Sequence, residues 1–329
     1  MELILANHSS YPRIGESTGH QTLRRTIAQW EKGEKTETDL RAAEDRMTEI
    51  ALAEQVEAGL DVVTDGQIRW YDPISHLAGK LDGIRITGLL RYFDTNFYFR
   101  QPVVEGKIAR SKPLLVDDFR FARGKSARPV KAVLTGPVTL ARHSLAKNGS
   151  ADSFEKLVEG YTEALAPEVA ALAAAGATLI QLDEPVLLRK PEDLPLLERS
   201  LPWLAAAKGS AQIALTVFFG DAARLYSGLQ KLPVDILGLD FTYNPGLVDL
   251  IAREGSAKTL ALGLVDGRNT RLEDDKTVAK ALERILGRVQ SDRAYLNPSC
   301  GLEYLPRDRA QLKLKHLTTI KKTFLGSQA

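Results

Sequence analysis

Short apolar runs rich in β-forming residues alternate with amphipathic helical stretches along almost the whole chain, and this alternation limits the possible folds more than any other feature. It is typical of parallel βα units. Gly59 and Gly176 stand where two of the helices are expected to end. Eight strands are predicted, at Glu2 to Ala6, Leu60 to Thr64, Val130 to Thr135, Thr178 to Leu182, Gln212 to Thr216, Ile236 to Leu239, Thr259 to Gly263 and Arg293 to Leu296. The pattern predicts an α/β fold, a (β/α)8 TIM barrel, although periodicity alone also allows an open doubly wound sheet.

One segment, 81–128, breaks the alternation. It is rich in aromatic and β-branched residues and has few helix signals, so it predicts a β-rich insertion after the second strand. No low-complexity linker interrupts the rest of the sequence. A chain of 329 residues that is 44% hydrophobic suits one barrel. We therefore expect a single domain over 1–329, of which 81–128 is an insertion.

Composition excludes several classes of function. The chain has 44 Lys+Arg against 42 Asp+Glu, and the basic residues are scattered, so the sequence predicts no nucleic-acid or membrane partner. The expected partners are a small-molecule substrate or another protein. The single cysteine, Cys300, excludes an internal disulfide and favours a cytoplasmic location. The first residues lack the features of a signal peptide.

Polar residues follow nearly every predicted strand. In a barrel these positions surround one pocket at the carboxyl end of the strands, where function is usually found. A polar residue at a turn is more often structural than functional, but many of them on one rim suit a small ligand with charged groups. The set comprises Asn7, His8, Ser9, Ser10, Asp65, Gln67, Thr135, Gly136, Asp183, Glu184, Thr216, Asp240, Asp266, Arg268, Asn269, Asn297, Ser299 and Cys300.

Some chemistries can be excluded from the motifs. The sequence has no Gly-x-Ser-x-Gly elbow, no dinucleotide fingerprint and no phosphate loop. Asp183 and Glu184 could serve as an acid/base pair. However, adjacent residues at a strand end point to different sides, so only one of them is expected to face the pocket.

Several motifs, taken together and in order, resemble the cobalamin-independent methionine synthase family, whose members fuse two homologous barrels. The closest match is its zinc-free N-terminal barrel, and the resemblance runs from about Ser10 to Pro306. Residues 10–15 (Ser-Tyr-Pro-Arg-Ile-Gly) are similar to Gly-Phe-Pro-Arg-Ile-Gly, and residues 91–98 (Arg-Tyr-Phe-Asp-Thr-Asn-Phe-Tyr) to Lys-Trp-Phe-Asp-Thr-Asn-Tyr-His. Further counterparts lie at 30–34, 181–185, 216–220, 265–269 and 297–300.

The resemblance also bears on zinc. The family's C-terminal barrel holds zinc with a His-x-Cys pair, a Glu and a Cys, and those positions fall here on Thr216, Phe218, Asp240 and Cys300. Two donors are too few for a tetrahedral site, so we expect no tightly bound metal and consider zinc unlikely. The candidate catalytic residues are Asp183, Asp240, Cys300 and His8.

The resemblance further implies a methyl-tetrahydrofolate polyglutamate as a possible substrate, because the family's N-terminal barrel contributes cations to the acidic tail. A family Lys falls on Arg24, and another falls on Arg91. Arginine presents a planar fork that suits carboxylates, so both replacements keep the interaction. The implied substrate-binding set is Ser10, Arg13, Arg24, Arg91, Asn96, Asp183, Arg268 and Asn269.

Three hypotheses remain open at this point. The first is a methionine-biosynthesis methyltransferase component that works with a separate zinc-bearing barrel to methylate homocysteine. The second is a stand-alone thiol methyl- or alkyltransferase that uses another donor, such as a methylcorrinoid, and must find a base in place of the metal. The third is a non-catalytic ligand-binding subunit, because one fold can host many functions.

Overall fold

Seven parallel strands form the central sheet of the protein. The computed structural model describes residues 1–147, 149 and 153–327. The strands of this sheet are β1 (Glu2–Leu5), β4 (Ala132–Thr135), β6 (Leu179–Asp183), β7 (Gln212–Val217), β8 (Ile236–Asp240), β9 (Thr259–Val265) and β10 (Arg293–Pro298). Their order in the sheet is β1-β10-β9-β8-β7-β6-β4.

The segment that follows the second helix closes this sheet into a barrel. Leu60 to Thr64 was predicted as the second strand, but it pairs only through two isolated parallel bridges, Ala6 with Val62 and Val63 with Val130. These bridges join the β1 edge to the β4 edge, so the segment takes the place of the eighth strand of the barrel. The predicted (β/α)8 barrel is thus confirmed, with one irregular member.

Helices surround the strands. Two helices were predicted to end at Gly59 and Gly176. Both glycines have the left-handed backbone typical of a helix end, with φ of +87° and +92°. Thr36 begins the second helix with a reciprocal capping box to Asp39. The helices are α1 (Thr22–Glu31), α2 (Glu37–Glu57), α3 (Ser75–Ala78), α4 (Val116–Lys125), α5 (Pro137–Arg142), α6 (Phe154–Ala174), α7 (Leu194–Ala207), α8 (Tyr226–Lys231), α9 (Leu247–Glu254), α10 (Asp275–Leu286) and α11 (Arg307–Gly326).

The insertion is an antiparallel hairpin, β2 (Asp82–Arg91) and β3 (Tyr98–Ala109), with a short third strand β5 (Leu145–Ala146). Its β-rich character agrees with the sequence pattern, except that the last part of 81–128 forms α4. Phe119 and Ala122 are buried there, so packing of an apolar helix face accounts for that difference. No helix within the described part of the chain is both long and apolar enough to cross a membrane.

Candidate functional site

The carboxyl ends of the barrel strands place several of the predicted polar residues together at the barrel mouth. Asp183 ends β6 and Asp240 ends β8, while His8 and Cys300 lie just beyond β1 and β10. All four side chains are buried. Parallel strands in a closed barrel present these ends to a common space, which is the physical basis of the site.

Asp183 belongs to a buried chain of hydrogen bonds. Thr216 Oγ1 and Gln181 Nε2 both donate to Asp183 Oδ1, the latter at 2.7 Å. Lys131 Nζ donates to Gln181 Oε1 and, at 2.9 Å, to the Asn7 carbonyl oxygen. Burial raises the pKa of Asp183 and lowers that of Lys131, and the attraction between the two charges opposes both shifts. The pair therefore places one positive charge beneath the mouth, next to one carboxylate.

The two adjacent acids after β6 do point to different sides, as predicted. Glu184 accepts hydrogen bonds from the backbone N–H groups of Val138 and Thr139, at 2.9 and 2.7 Å, and from the Thr139 hydroxyl at 2.6 Å. Burial raises the pKa of Glu184 to about 7, and these hydrogen bonds act against the shift. Glu184 thus holds the start of α5, and of these two acids only Asp183 joins the hydrogen-bond chain with Gln181 and Thr216.

The positions that correspond to zinc ligands in the resembling family do not form a metal site. Asp240 already accepts three hydrogen bonds, from Phe219 N–H at 3.1 Å and from the Thr242 N–H and hydroxyl at 2.8 and 2.6 Å. Thr216 binds Asp183, and Phe218 offers no donor atom. Within the described residues no group of three or more His, Cys, Asp or Glu side chains is arranged to hold a metal ion. The residues present therefore do not fit zinc.

Cys300 is a poor candidate for a nucleophile, and His8 is a poor candidate for a general base. Burial raises the pKa of the Cys300 thiol well above its ordinary value, and the nearby charges of Asp240 and Glu303 raise it further. Burial and the charge of Lys131 lower the pKa of His8 well below its ordinary value. His8 Nδ1 lies 2.8 Å from Ser9 Oγ. The thiol is thus held protonated, and the imidazole is held neutral.

Aromatic rings from the insertion cover the mouth. Phe93 at the hairpin tip lies 5.5 Å from Phe219, and Tyr92 lies 5.6 Å from His143, measured between ring centroids. Phe93 and Phe219 both have left-handed backbones, with φ of +50° and +66°, which costs roughly 1–3 kcal/mol for a residue other than glycine. Such strain is retained mostly at functional sites.

The remaining predicted binding residues separate into two groups. Arg268 lies at the mouth, where its guanidinium carbon is 5.2 Å from the Phe219 ring centre and 4.8 Å from that of Tyr243. Asn269 and Asn96 are exposed, and Asn269 lines a different cleft. Arg91 Nε donates to the Thr95 carbonyl oxygen at 2.6 Å, so it stabilises its own hairpin turn. The structure therefore does not bring Arg91, Asn96 and Asn269 together with the mouth residues.

Residues from the segments that follow β1 and β10 line a cleft of about 870 Å³. Arg13 and Arg24 belong to this lining, and so do Phe97, Glu303 and Tyr304. Arg13 packs 5.3 Å from the Tyr71 ring centre, and burial lowers its pKa. Its Nε and Nη2 atoms are buried and have no hydrogen-bond partner among the residues described. Arg24 is exposed on α1.

Sequence reasoning missed Lys131 and Glu303. Lys131 stands between apolar residues at the beginning of a strand, and a charge in such a run was a signal that it is buried with a partner. Glu303 lies three residues beyond Cys300, outside the predicted strand ends. Only the fold of the loop after β10 directs it to the mouth.

Comparisons with known proteins agree with this architecture. A family model described as "Cobalamin-independent synthase, Catalytic domain" matches residues 10–323. A methionine synthase from Saccharolobus solfataricus is 31% identical over 308 residues, which are 93% of this chain and 90% of that protein. Another methionine synthase, from Sulfurisphaera tokodaii, is 31% identical over 94% of this chain and 88% of its own length.

Solved structures show the same fold. A B12-independent methionine synthase from Shewanella sp. W3-18-1, in complex with selenomethionine, superposes with a TM-score of 0.77 at 23% identity over 99% of this chain and 100% of that one. A putative vitamin-B12-independent methionine synthase from Listeria monocytogenes gives a TM-score of 0.74 at 19% identity, with 98% of each chain covered.

Proposed function

This chain belongs to the cobalamin-independent methionine synthase family, and from that premise we propose that it is the zinc-free component of a two-barrel methyltransferase. In this proposal it binds the polyglutamate tail of methyl-tetrahydrofolate, and a separate zinc-bearing barrel activates homocysteine. The methyl group then passes to the homocysteine sulfur.

Arg13 carries the proposal. A guanidinium whose buried N–H groups lack partners within the described residues is unusual, because unmet donors cost roughly 1–3 kcal/mol. Two parallel N–H···O bonds to a carboxylate would satisfy the planar fork. Arg24 lines the same cleft, so the two cations offer successive contacts for a ligand with several carboxylates. A glutamate tail has that chemistry.

The residues at the mouth support a role for a second barrel in activating the acceptor sulfur. Zinc in this family would hold the acceptor sulfur and lower its pKa, but the donor set around Asp240 and Cys300 does not fit the metal. Cys300 is a buried, protonated thiol, and His8 is a buried imidazole whose lowered pKa makes it a weak base. At neutral pH a free thiol is only a few per cent thiolate, so an acceptor bound at this mouth lacks an activating group. We assign that step to the partner barrel.

Methionine formation tests the proposal. The assay supplies methyl-tetrahydrofolate triglutamate and homocysteine to this chain alone, to a zinc-bearing barrel from the same source alone, and to both together. We expect turnover only in the mixture, and loss of turnover after chelation of zinc. Turnover by this chain alone would instead support a stand-alone methyl- or alkyltransferase.

A further inference from the structure

The tip of the β2–β3 hairpin, residues 92–97, is held together by its own hydrogen bonds. The Tyr92 N–H donates to the Phe97 carbonyl oxygen at 2.8 Å, and the Thr95 N–H donates to the Tyr92 carbonyl oxygen at 3.3 Å. The Phe97 N–H donates to Thr95 Oγ1 at 3.2 Å. All of these bonds lie within the turn, so the tip keeps its conformation when its contacts with the barrel are broken.

Two pairs of aromatic rings connect this tip to the barrel. The Phe97 ring centre lies 4.8 Å from that of Tyr304, and the Phe93 ring centre lies 5.5 Å from that of Phe219. Ring contacts of this kind involve no backbone hydrogen bond, so they can separate and form again without disturbing the strands.

One polar contact adds to the rings. Among the residues described, the only hydrogen bond between the tip and the barrel runs from the Arg189 guanidinium to the Asp94 carboxylate. The Arg189 side chain is 39% exposed and that of Asp94 is 72% exposed, so this ion pair contributes little stability. Opening the tip therefore costs far less than unfolding the domain.

The mouth under the tip is closed to solvent. His8 is 3% exposed, Asp240 is 1% exposed and Cys300 is fully buried. Phe219, on which the tip rests, donates its backbone N–H to the Asp240 carboxylate at 3.1 Å, so the tip lies directly beside these residues. A small molecule can therefore reach their side chains only after the covering group has moved.

The hairpin has a place to bend behind the tip. The pairing register of its strands shifts between Ile86 and Leu89. Gly88 lies within this irregularity, and apart from its chain neighbours no heavy atom lies within 4 Å of the position that a Cβ would take there. Irregular pairing bends a strand, and glycine often marks such a bend. Motion at this point would carry the whole tip away from the barrel.

We propose that the hairpin tip, residues 92–97, is a gate that moves off the barrel as a unit to admit a small-molecule ligand to the mouth and then closes over it. Phe93 and Phe219, which meet across the gate, both have left-handed backbones. Strain of this kind is typical of clamps and switch segments. The proposal concerns access to the mouth, so it goes beyond the proposed function and holds for any ligand that binds there.

Thiol labelling of Cys300 in the folded protein tests the proposal, with methyl methanethiosulfonate as a reagent small enough to enter an open mouth. The closed parent should stay unlabelled during an incubation in which the double variant Asp94→Ala/Phe97→Ala becomes labelled. The variant should react up to about 60-fold faster, from about fivefold for an exposed ion pair and about 12-fold for an aromatic pair. Its rate should change little at low urea concentrations, because gate opening exposes little surface.

Single variants separate a gate from a hole left by a missing ring. Phe97→Ala removes a ring over Tyr304, whereas the exposed Asp94 side chain covers nothing. Adding Asp94→Ala to Phe97→Ala should still raise the labelling rate, by up to about fivefold. Arg85→Ala removes an exposed ion pair with Glu105 in the same hairpin, away from the tip, and should leave Cys300 as protected as in the parent.

Three results would overturn the inference: a double variant that is labelled no faster than the parent, an Asp94→Ala substitution without effect, or a labelling rate that rises with urea as steeply as global unfolding does. Thermal unfolding of each variant reports on folding. The assay contains neither folate nor a second barrel, so its result does not depend on the proposed function.

Discussion

Replacement of Arg13 by alanine should remove most of the preference for a polyglutamate tail. The Nε and Nη2 atoms of Arg13 are buried and have no hydrogen-bond partner within the described residues, so a carboxylate that reaches them would satisfy both donors. A charge-assisted hydrogen bond of this kind contributes roughly 1.5–3 kcal/mol, which is about 10- to 150-fold in affinity. Arg24 is exposed, and an exposed pair contributes only about 0–1 kcal/mol, or up to about fivefold.

Equilibrium titration with methyl-tetrahydrofolate carrying one or three glutamates measures this difference. We expect Arg13→Ala to weaken the triglutamate far more than the monoglutamate, and Arg24→Ala to cause a small loss that disappears in high salt, since exposed charges are screened. Arg253→Ala, on the exposed end of α9, serves as the matched control. Equal losses for both ligands, or a larger effect of Arg24 than of Arg13, would refute the reasoning.

Three further predictions concern the buried groups. Glu184→Gln should flatten the pH dependence of the free energy of unfolding. The pKa of Glu184 is about 7 in the folded protein and ordinarily 4.5, so the parent should lose up to about 3 kcal/mol of stability as pH rises from about 4.5 to 7. Urea unfolding of both proteins at pH 4 and pH 8 measures the difference. Lys131→Met should destabilise the fold by about 3–5 kcal/mol because it leaves a buried acid uncompensated, and a second change, Asp183→Asn, should restore part of that loss in the same unfolding assay. Cys300 should react with a thiol reagent only after denaturation, and rapid labelling of the native protein would contradict its burial.

The sequence by itself indicated the fold class and the family. The alternation of strand and helix patterns predicted parallel βα units and favoured the barrel, because hydrophobic periodicity is a local property of the chain. Gly59 and Gly176 marked helix ends for the same reason. The motifs from Ser10 onward identified the family. The opposite directions of Asp183 and Glu184 followed from the two-residue repeat of a strand.

Tertiary structure decided which of those residues meet. Arg24 and Arg91 were equivalent in the resemblance, but the fold of the hairpin turns Arg91 to its own loop, while Arg24 lines the same cleft as Arg13. Ser10 and Gly301 are almost three hundred residues apart, and the closed barrel brings the Ser10 hydroxyl beside Gly301 and its near neighbour Glu303. Contacts of this kind depend on how distant strands are paired and how loops pack over them, and no local pattern in the sequence records that long-range geometry.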